Sequence, residues 1–147
     1  MAEKVIAGSD HAGLALRAAA VGAAKAAGFE VEDVGPFSTE SVDYPDFARR
    51  VAEAVARGEA RFGILVCGTG IGMSISANKV HGVRAALCTT EYEARMARAH
   101  NDANVLCMGE RVVGTGLGEA LVRTFLATPF EGGRHARRVA KIGDLER

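Results

Sequence analysis

A cysteine followed by alternating glycines, Val66-Cys67-Gly68-Thr69-Gly70-Ile71-Gly72, closes the hydrophobic run Phe62-Gly63-Ile64-Leu65-Val66. The run reads as a buried strand and the glycines as the turn into a helix. A helix N-terminus presents unpaired N–H groups and a partial positive charge, both of which favour anions. A thiol placed there is expected to ionise more readily than a free cysteine, whose pKa is about 8.5. The segment therefore offers a base or nucleophile beside a cradle for developing negative charge. Its G-x-G-x-G spacing is neither the dinucleotide G-x-G-x-x-G nor the P-loop pattern, so taken alone it is equally a tight strand-to-helix turn.

Three further polar clusters have side chains suited to chemistry. Ser9-Asp10-His11-Ala12-Gly13 follows the first strand-like segment, and His100-Asn101-Asp102 lies between a helix-like and a strand-like segment. Near the C-terminus, five of the eight residues from Arg134 to Lys141 are Arg, Lys or His. Arg134 and Arg138 are four apart, so on a helix they share a face and could clamp one phosphate. A solvated basic face or a subunit contact is the plainer reading of the same run. Arg111, just past the last strand-like segment, could add a charge at the ligand edge.

Alternating elements must position these groups. Strand-like segments span Lys4–Gly8, Glu30–Val34, Phe62–Cys67, Val83–Cys88 and Asn104–Met108. Helix-like segments separate them: an alanine-rich one over about Leu14–Ala27 stopped by Gly28, one from about Pro45, a short one after Gly72, one capped by Thr90-x-x-Glu93, and one over about Leu117–Ala127 aligning Leu117, Leu121 and Phe125. Pro129 and Gly132-Gly133 then separate a basic tail, about residues 128–147. Such alternation predicts βα units, a parallel sheet and one domain. Ligands of such sheets bind beyond the carboxyl ends of the strands. If the first and third strands are neighbours, Asp10, His11, Cys67 and Thr69 converge there. His100 does not fit that picture. The helix before it, roughly 15 Å long, carries the chain back to the opposite edge of the sheet. Either His100 is structural, favoured by a helix C-terminus, or a second subunit brings its copy to the site.

The whole chain narrows the classes. Its 147 residues suit a single domain, with 48% hydrophobic and 24% charged residues and zero formal net charge. No global basic field draws it to nucleic acid or a membrane surface, and no apolar run approaches the ~20 residues of a membrane span. Strand-like residues begin at Lys4, leaving no room for a signal peptide. Cys67, Cys88 and Cys107 cannot all pair and match no zinc spacing, so reduced thiols in a cytoplasm are expected.

Taken together, Ser9-Asp10-His11-Ala12-Gly13, Cys67-Gly68-Thr69-Gly70-Ile71-Gly72 with Ala77-Asn78-Lys79, His100-Asn101-Asp102 with Asn104-Val105-Leu106, and Glu131-Gly132-Gly133-Arg134-His135 with Arg138 resemble ribose-5-phosphate isomerase type B. The motifs occur in that family's order and span nearly the whole chain. The resemblance implies an α/β fold: a three-layer, Rossmann-like α/β/α sandwich on a five-stranded parallel sheet, in a single domain with a C-terminal helical tail. It implies a homodimer, possibly a dimer of dimers, with active sites shared between subunits, which would account for His100. The implied reaction interconverts D-ribose 5-phosphate and D-ribulose 5-phosphate through an enediol. By similarity Cys67 is the base that removes the carbon-bound proton. Other members have a glutamate base at the place of Met73, and methionine cannot accept that proton. The resemblance further implies that backbone N–H groups around Gly68, Gly70, Ile71 and Gly72 stabilise the enediolate. It implies that His100 and Thr69 assist ring opening, Asp10 and Asn101 hold sugar oxygens, and His11, Arg111, Arg134 and Arg138 bind the phosphate. No metal or organic cofactor is implied.

Two rivals remain open on sequence. Galactose-6-phosphate isomerase subunits share this fold but divide the catalytic residues between two kinds of chain, whereas this chain holds Cys67, His100, Arg134 and Arg138 together; six-carbon substrates such as allose 6-phosphate stay open as a main or side activity. A non-catalytic phosphate- or nucleotide-sensing module would not need Cys67 with the His100 cluster. Other features read as structural. Cys88 and Cys107 sit in apolar strands as small hydrophobes. Gly114-Thr115-Gly116-Leu117-Gly118 repeats the glycine spacing without a thiol and reads as a loose start to a helix. Tyr44 either lines the sugar site or packs, and Arg137 and Lys141 face solvent or a partner.

Overall fold

The computed structural model describes residues 2–146. Five strands, β1 (Lys4–Ser9), β2 (Glu30–Asp33), β3 (Phe62–Cys67), β4 (Ala85–Leu87) and β5 (Val105–Gly109), alternate with α1 (Leu14–Ala26), α2 (Tyr44–Ala56), α3 (Ile71–Ala77), α4 (Glu91–Ala99) and α5 (Thr115–Ala127). A sixth helix, α6 (Arg134–Gly143), follows, and a 3-10 turn (His11–Gly13) links β1 to α1. All strand pairings are parallel, in the order β2-β1-β3-β5-β4.

The central strands are apolar throughout because both faces are covered, as parallel sheets require. Successive side chains alternate between faces. Val5, Ala7, Ile64, Val66, Leu106 and Met108 join Leu16 of α1, Ala94 of α4 and Phe125 of α5 in one core layer. Ile6, Leu65, Cys67, Val105 and Cys107 join Val51 of α2 and Met73 of α3 in the other. Met73 is fully buried there. The helices begin and stop where local chemistry dictates. Pro45 sits in the first turn of α2, where a missing N–H costs nothing. The predicted capping box opens α4, with Thr90 Oγ1 accepting from the Glu93 N–H. Gly28, at φ 94°, ends the α1 turn in a conformation that suits glycine.

Some expectations shift. Helix α5 starts at Thr115, and Leu117 is 41% exposed whereas Leu121 and Phe125 are buried. The inner face of its first turn is instead Gly118, where a Cβ would come within 2.3 Å of Leu16 Cδ1. That glycine allows α5 to lie close on α1. Strand β4 is only three residues long and half-buried. Its pairing is extended by side chains. Asn78 accepts from the Ala85 N–H (2.8 Å) and donates to the Ala85 carbonyl (3.0 Å). Asn104 accepts from the Arg84 N–H (2.8 Å) and donates to the Gly82 carbonyl (2.9 Å).

Candidate active site

Registers Ser9↔Val66 and Cys67↔Gly109 bring the ends of β1, β3 and β5 to one edge. The chain leaves β1 toward β2 on one side and β3 toward β4 on the other, so the β1/β3 junction is a topological switch point, where such sheets open a crevice. Backbone bonds tie the loops together. The Asp10 N–H donates to the Val66 carbonyl (3.1 Å), Glu110 N–H to the Cys67 carbonyl (2.9 Å) and Arg111 N–H to the Gly68 carbonyl (2.9 Å). A Cβ on Gly109 would stand 2.4 Å from the Thr69 backbone, so only glycine lets β5 run this close to the loop.

Cys67 is 5% exposed, and its Sγ accepts from the Gly70 N–H at 3.1 Å, which fixes the sulfur's direction. Gly70 has φ 80°, and a Cβ there would lie 2.8 Å from the Met108 backbone. Both demands select glycine. Thr69 is exposed, with Oγ1 accepting from the Ile71 N–H (3.2 Å). The N–H groups of Gly70 and Ile71 therefore already have partners within the loop. Gly72 follows in the first turn of α3, where helical N–H groups lack intrahelical partners. The Tyr44 ring lies against Gly72, where a Cβ would meet it at 2.4 Å. The Arg111 guanidinium lies over Gly68, 3.1 Å from where its Cβ would be.

Asp10 is buried, and its Oδ1 caps the 3-10 turn by accepting from the Ala12 N–H (2.9 Å). In that turn His11 Nδ1 accepts from the Val42 N–H (3.1 Å). The neutral ring therefore carries its proton on Nε2, as a donor. Asp10, Cys67, Gly68, Thr69 and Arg111 line one cavity of about 410 Å³, closed by Tyr44, Gly72 and the apolar side chains of Ile71 and Ile75. Burial pushes the Cys88 thiol up to about 12 and Cys107 higher still, so neither supplies a base near neutral pH. Of the three thiols only Cys67 lines this cavity.

His100, Asn101, Arg134 and Arg138 are not brought to this cavity. His100 caps the C-terminus of α4, at the amino end of β5. Strand β5 alone separates the two edges by roughly 13 Å. His100 stacks on His135 of α6, with ring centroids 4.1 Å apart. Arg134 and Arg138 are exposed on the same helix. Asn101 lines a second, larger cavity of about 620 Å³ with Lys79, Arg84, Ile142 and Leu145. The third member of the His100 cluster, Asp102, is structural. At φ 48°, its carboxylate receives Arg98 (2.8 Å) and Arg84 (3.3 Å), and Arg98 also donates to the Ala103 carbonyl (2.7 Å).

Sequence reasoning missed several supports. Glu110 Oε1 accepts from the Leu16 N–H at 2.8 Å, capping α1 from 94 residues away. Buried Arg17 ties β1 to β2, donating to Ser9 Oγ (2.7 Å) and pairing with Asp33 (3.1 Å). Neither has a local signal. His135 belongs to the Glu131–Arg138 motif, but nothing local announces that its ring stacks on His100.

A family model described as Ribose/Galactose Isomerase matches residues 5–142. The chain belongs to the ribose/galactose isomerase family. Its relatives within that family include ribose-5-phosphate isomerase B of Escherichia coli, 47% identical over 98% of this chain and 97% of the relative. The type B ribose 5-phosphate isomerase of Trypanosoma brucei superposes with a TM-score of 0.97 at 54% identity, covering 99% of this chain and all of that one. Ribose-5-phosphate isomerase B of Mycoplasma genitalium, solved with bound ribulose-5-phosphate, superposes with a TM-score of 0.95 at 44% identity over 99% of this chain and 97% of that one. The α/β/α sandwich and the five-stranded parallel sheet expected of the family are those observed.

Proposed function

We propose that this chain interconverts D-ribose 5-phosphate and D-ribulose 5-phosphate, as a homodimer in which each active site takes residues from both subunits. The observation that carries the reading is the buried Cys67 thiol, held by the Gly70 N–H in a cavity shared with Asp10 and Arg111. Membership of the family and the ribulose-5-phosphate complex of the Mycoplasma genitalium relative support the same substrate.

In the forward direction Cys67, as thiolate, takes the proton from C2 of the open-chain aldose. The electron pair moves to the C1 oxygen, giving the enediolate. Transfer of the O2 proton to O1 shifts the negative charge to O2, and return of the carbon-bound proton from Cys67 to C1 then yields the ketose and restores the thiolate. Backbone N–H groups of the Gly68–Gly72 loop face the developing oxyanion, Gly72 without a competing loop partner. The Gly70 and Ile71 N–H groups would exchange partners to take part. Asp10 keeps Oδ2 for a sugar hydroxyl, and His11 Nε2–H and Arg111 supply donors for phosphate. Thr69 and a His100 from the partner subunit move protons during ring opening. Asn101, Arg134 and Arg138 of that second copy complete the grip on sugar and phosphate.

The placement of the two halves supports the dimer. One edge of the sheet carries the thiol, and the opposite edge carries His100 and the α6 arginines. A two-fold axis would place each edge of one copy on the other edge of its mate. Ile71 (52% exposed) and Ile75 (59%) flank the Cys67 cavity, and Ile142 and Leu145 flank the second cavity. These apolar residues are suited to burial between subunits. No helix among the described residues is long and apolar enough to cross a membrane, and the substrate and the unpaired thiols suit a cytoplasmic enzyme. Turnover across five- and six-carbon aldose phosphates tests the assignment. Ribose 5-phosphate is expected to give the highest kcat/KM, and a preference for allose 6-phosphate or galactose 6-phosphate would overturn it.

A further inference from the structure

His100, Glu131 and His135 come together in a way the isomerase reading does not require. The Glu131 N–H donates to the Ala99 carbonyl at 3.0 Å, pinning the α5–α6 link to the C-terminus of α4. His135, in the first turn of α6, is buried, and Glu131 lies just before the helix, across Gly132 and Gly133 at φ 69° and 57°. Its ring stacks on His100 with an interplanar angle of 10°. Both Nε2 atoms face the same carboxylate oxygen, Glu131 Oε1, at 3.7 Å from His100 and 3.6 Å from His135.

We propose that these three side chains form a binding site for a borderline-soft divalent cation such as Zn²⁺, and that occupancy silences the enzyme by taking up His100. Two imidazole nitrogens and one carboxylate are a recurrent zinc donor set, with a fourth position left to water. The donor atoms lie within 4.8 Å of one another. Metal–ligand bonds of about 2.0–2.1 Å in a tetrahedron need separations of roughly 3.4 Å, and a bound ion must lie in the plane of each imidazole, so one ring turns out of the stack to close the site. Imidazole donors select zinc, copper or nickel over magnesium and calcium. The exposed Arg134 and Arg138 guanidiniums nearby hold the affinity below that of a closed structural site. The inhibitory half of the proposal rests on the ring-opening role of His100, while the binding half rests on the geometry alone.

The test uses full-length, metal-free protein and Zn²⁺ alone, in competition with a chromophoric chelator, beside turnover of ribose 5-phosphate. One equivalent per chain is expected, with turnover falling in step and returning on chelation. His135→Ala and Glu131→Gln should each weaken binding about tenfold or more, because a ligand of a three-residue set is gone. Each should also lose zinc sensitivity relative to its own metal-free rate. Cys67→Ser should bind the same equivalent as wild type. Stoichiometric binding that survives both cluster variants, or that disappears with Cys67→Ser, would place the metal elsewhere and overturn the proposal. So would absence of binding, or binding without loss of turnover. A chain that never turns over ribose 5-phosphate would count against the proposed activity, and chelator competition would still decide the site.

Discussion

Cys67 and Met73 divide the work of the loop between chemistry and packing. Cys67 ends β3 at the cavity, whereas Met73 points into the core layer with Val51 and Leu65 and offers no proton acceptor. That placement is why the thiol is the proposed base. Cys67→Ala is expected to lower kcat by about 10²- to 10⁴-fold while phosphate binding, read by inhibition with a non-isomerisable phosphosugar, stays within a few-fold of wild type. Turnover near the wild-type rate in that variant would remove Cys67 from the mechanism. The position of Cys67 at a strand end facing a cavity was legible because a thiol, a strand end and a glycine turn are adjacent in sequence. The reasons for the individual glycines were not. Gly70 is set by its positive φ and the Met108 backbone, Gly72 by the Tyr44 ring and Gly109 by the Thr69 backbone. Each neighbour is distant in sequence from its glycine, so no local pattern announces it.

At the scale of elements, the short strand β4 depends on amide side chains more than on its own ladder. Asn78 and Asn104 belong to the motifs that resemble the family, yet their bonds go to the backbone of Ala85, Arg84 and Gly82. Asn104→Ala removes two such bonds, leaving the part-buried Arg84 N–H without that partner while the exposed Gly82 carbonyl turns to water. The expected cost is about 1–3 kcal/mol, read as a lower urea midpoint with an unchanged slope. An unaltered midpoint would show that water replaces the amide without loss. Periodicity found the strands and helices because the two core layers alternate cleanly along β1, β3 and β5. It placed the start of α5 late because Leu117 reads as core while a glycine holds the contact with α1.

Helix α6 is held by few groups, so its docking is sensitive to pH. Burial lowers the His135 pKa from its ordinary 6.5, His100, Arg134 and Arg138 lower it further, and Glu131 opposes them. As pH falls through 6.5 the unfolded chain therefore binds a proton before the folded one does. The stability gained by holding this ring neutral is complete above that value and is lost through the window just below it. The thermal midpoint of wild type should exceed that of His135→Gln by a margin that narrows as pH is lowered from about 7.5 to about 5.5. A margin independent of pH would assign His135 a packing role alone.

The residues of the proposed active site fall at opposite edges of the molecule. The chain places Asp10, Cys67, Thr69 and Arg111 at one edge of the sheet, and His100, Arg134 and Arg138 at the other. Sequence order hinted at this division, because a helix returns the chain before His100, but the distance became concrete only once β5 was seen between the two edges. If a second copy supplies the missing half, damage to opposite edges must complement. Cys67→Ala and His100→Ala homodimers should both be severely impaired. In a mixed dimer one site collects both lesions and the other collects neither, because its Cys67 comes from one chain and its His100 from the other. Randomly mixed equal amounts give half heterodimers, each with one intact site. Turnover should therefore recover to about one quarter of the wild-type rate per chain. Native mass spectrometry would confirm that heterodimers had formed. Activity that stays at the level of the parents in that mixture would mean that each chain builds its site alone, and that His100 works only as the cap of α4 and the stacking partner of His135.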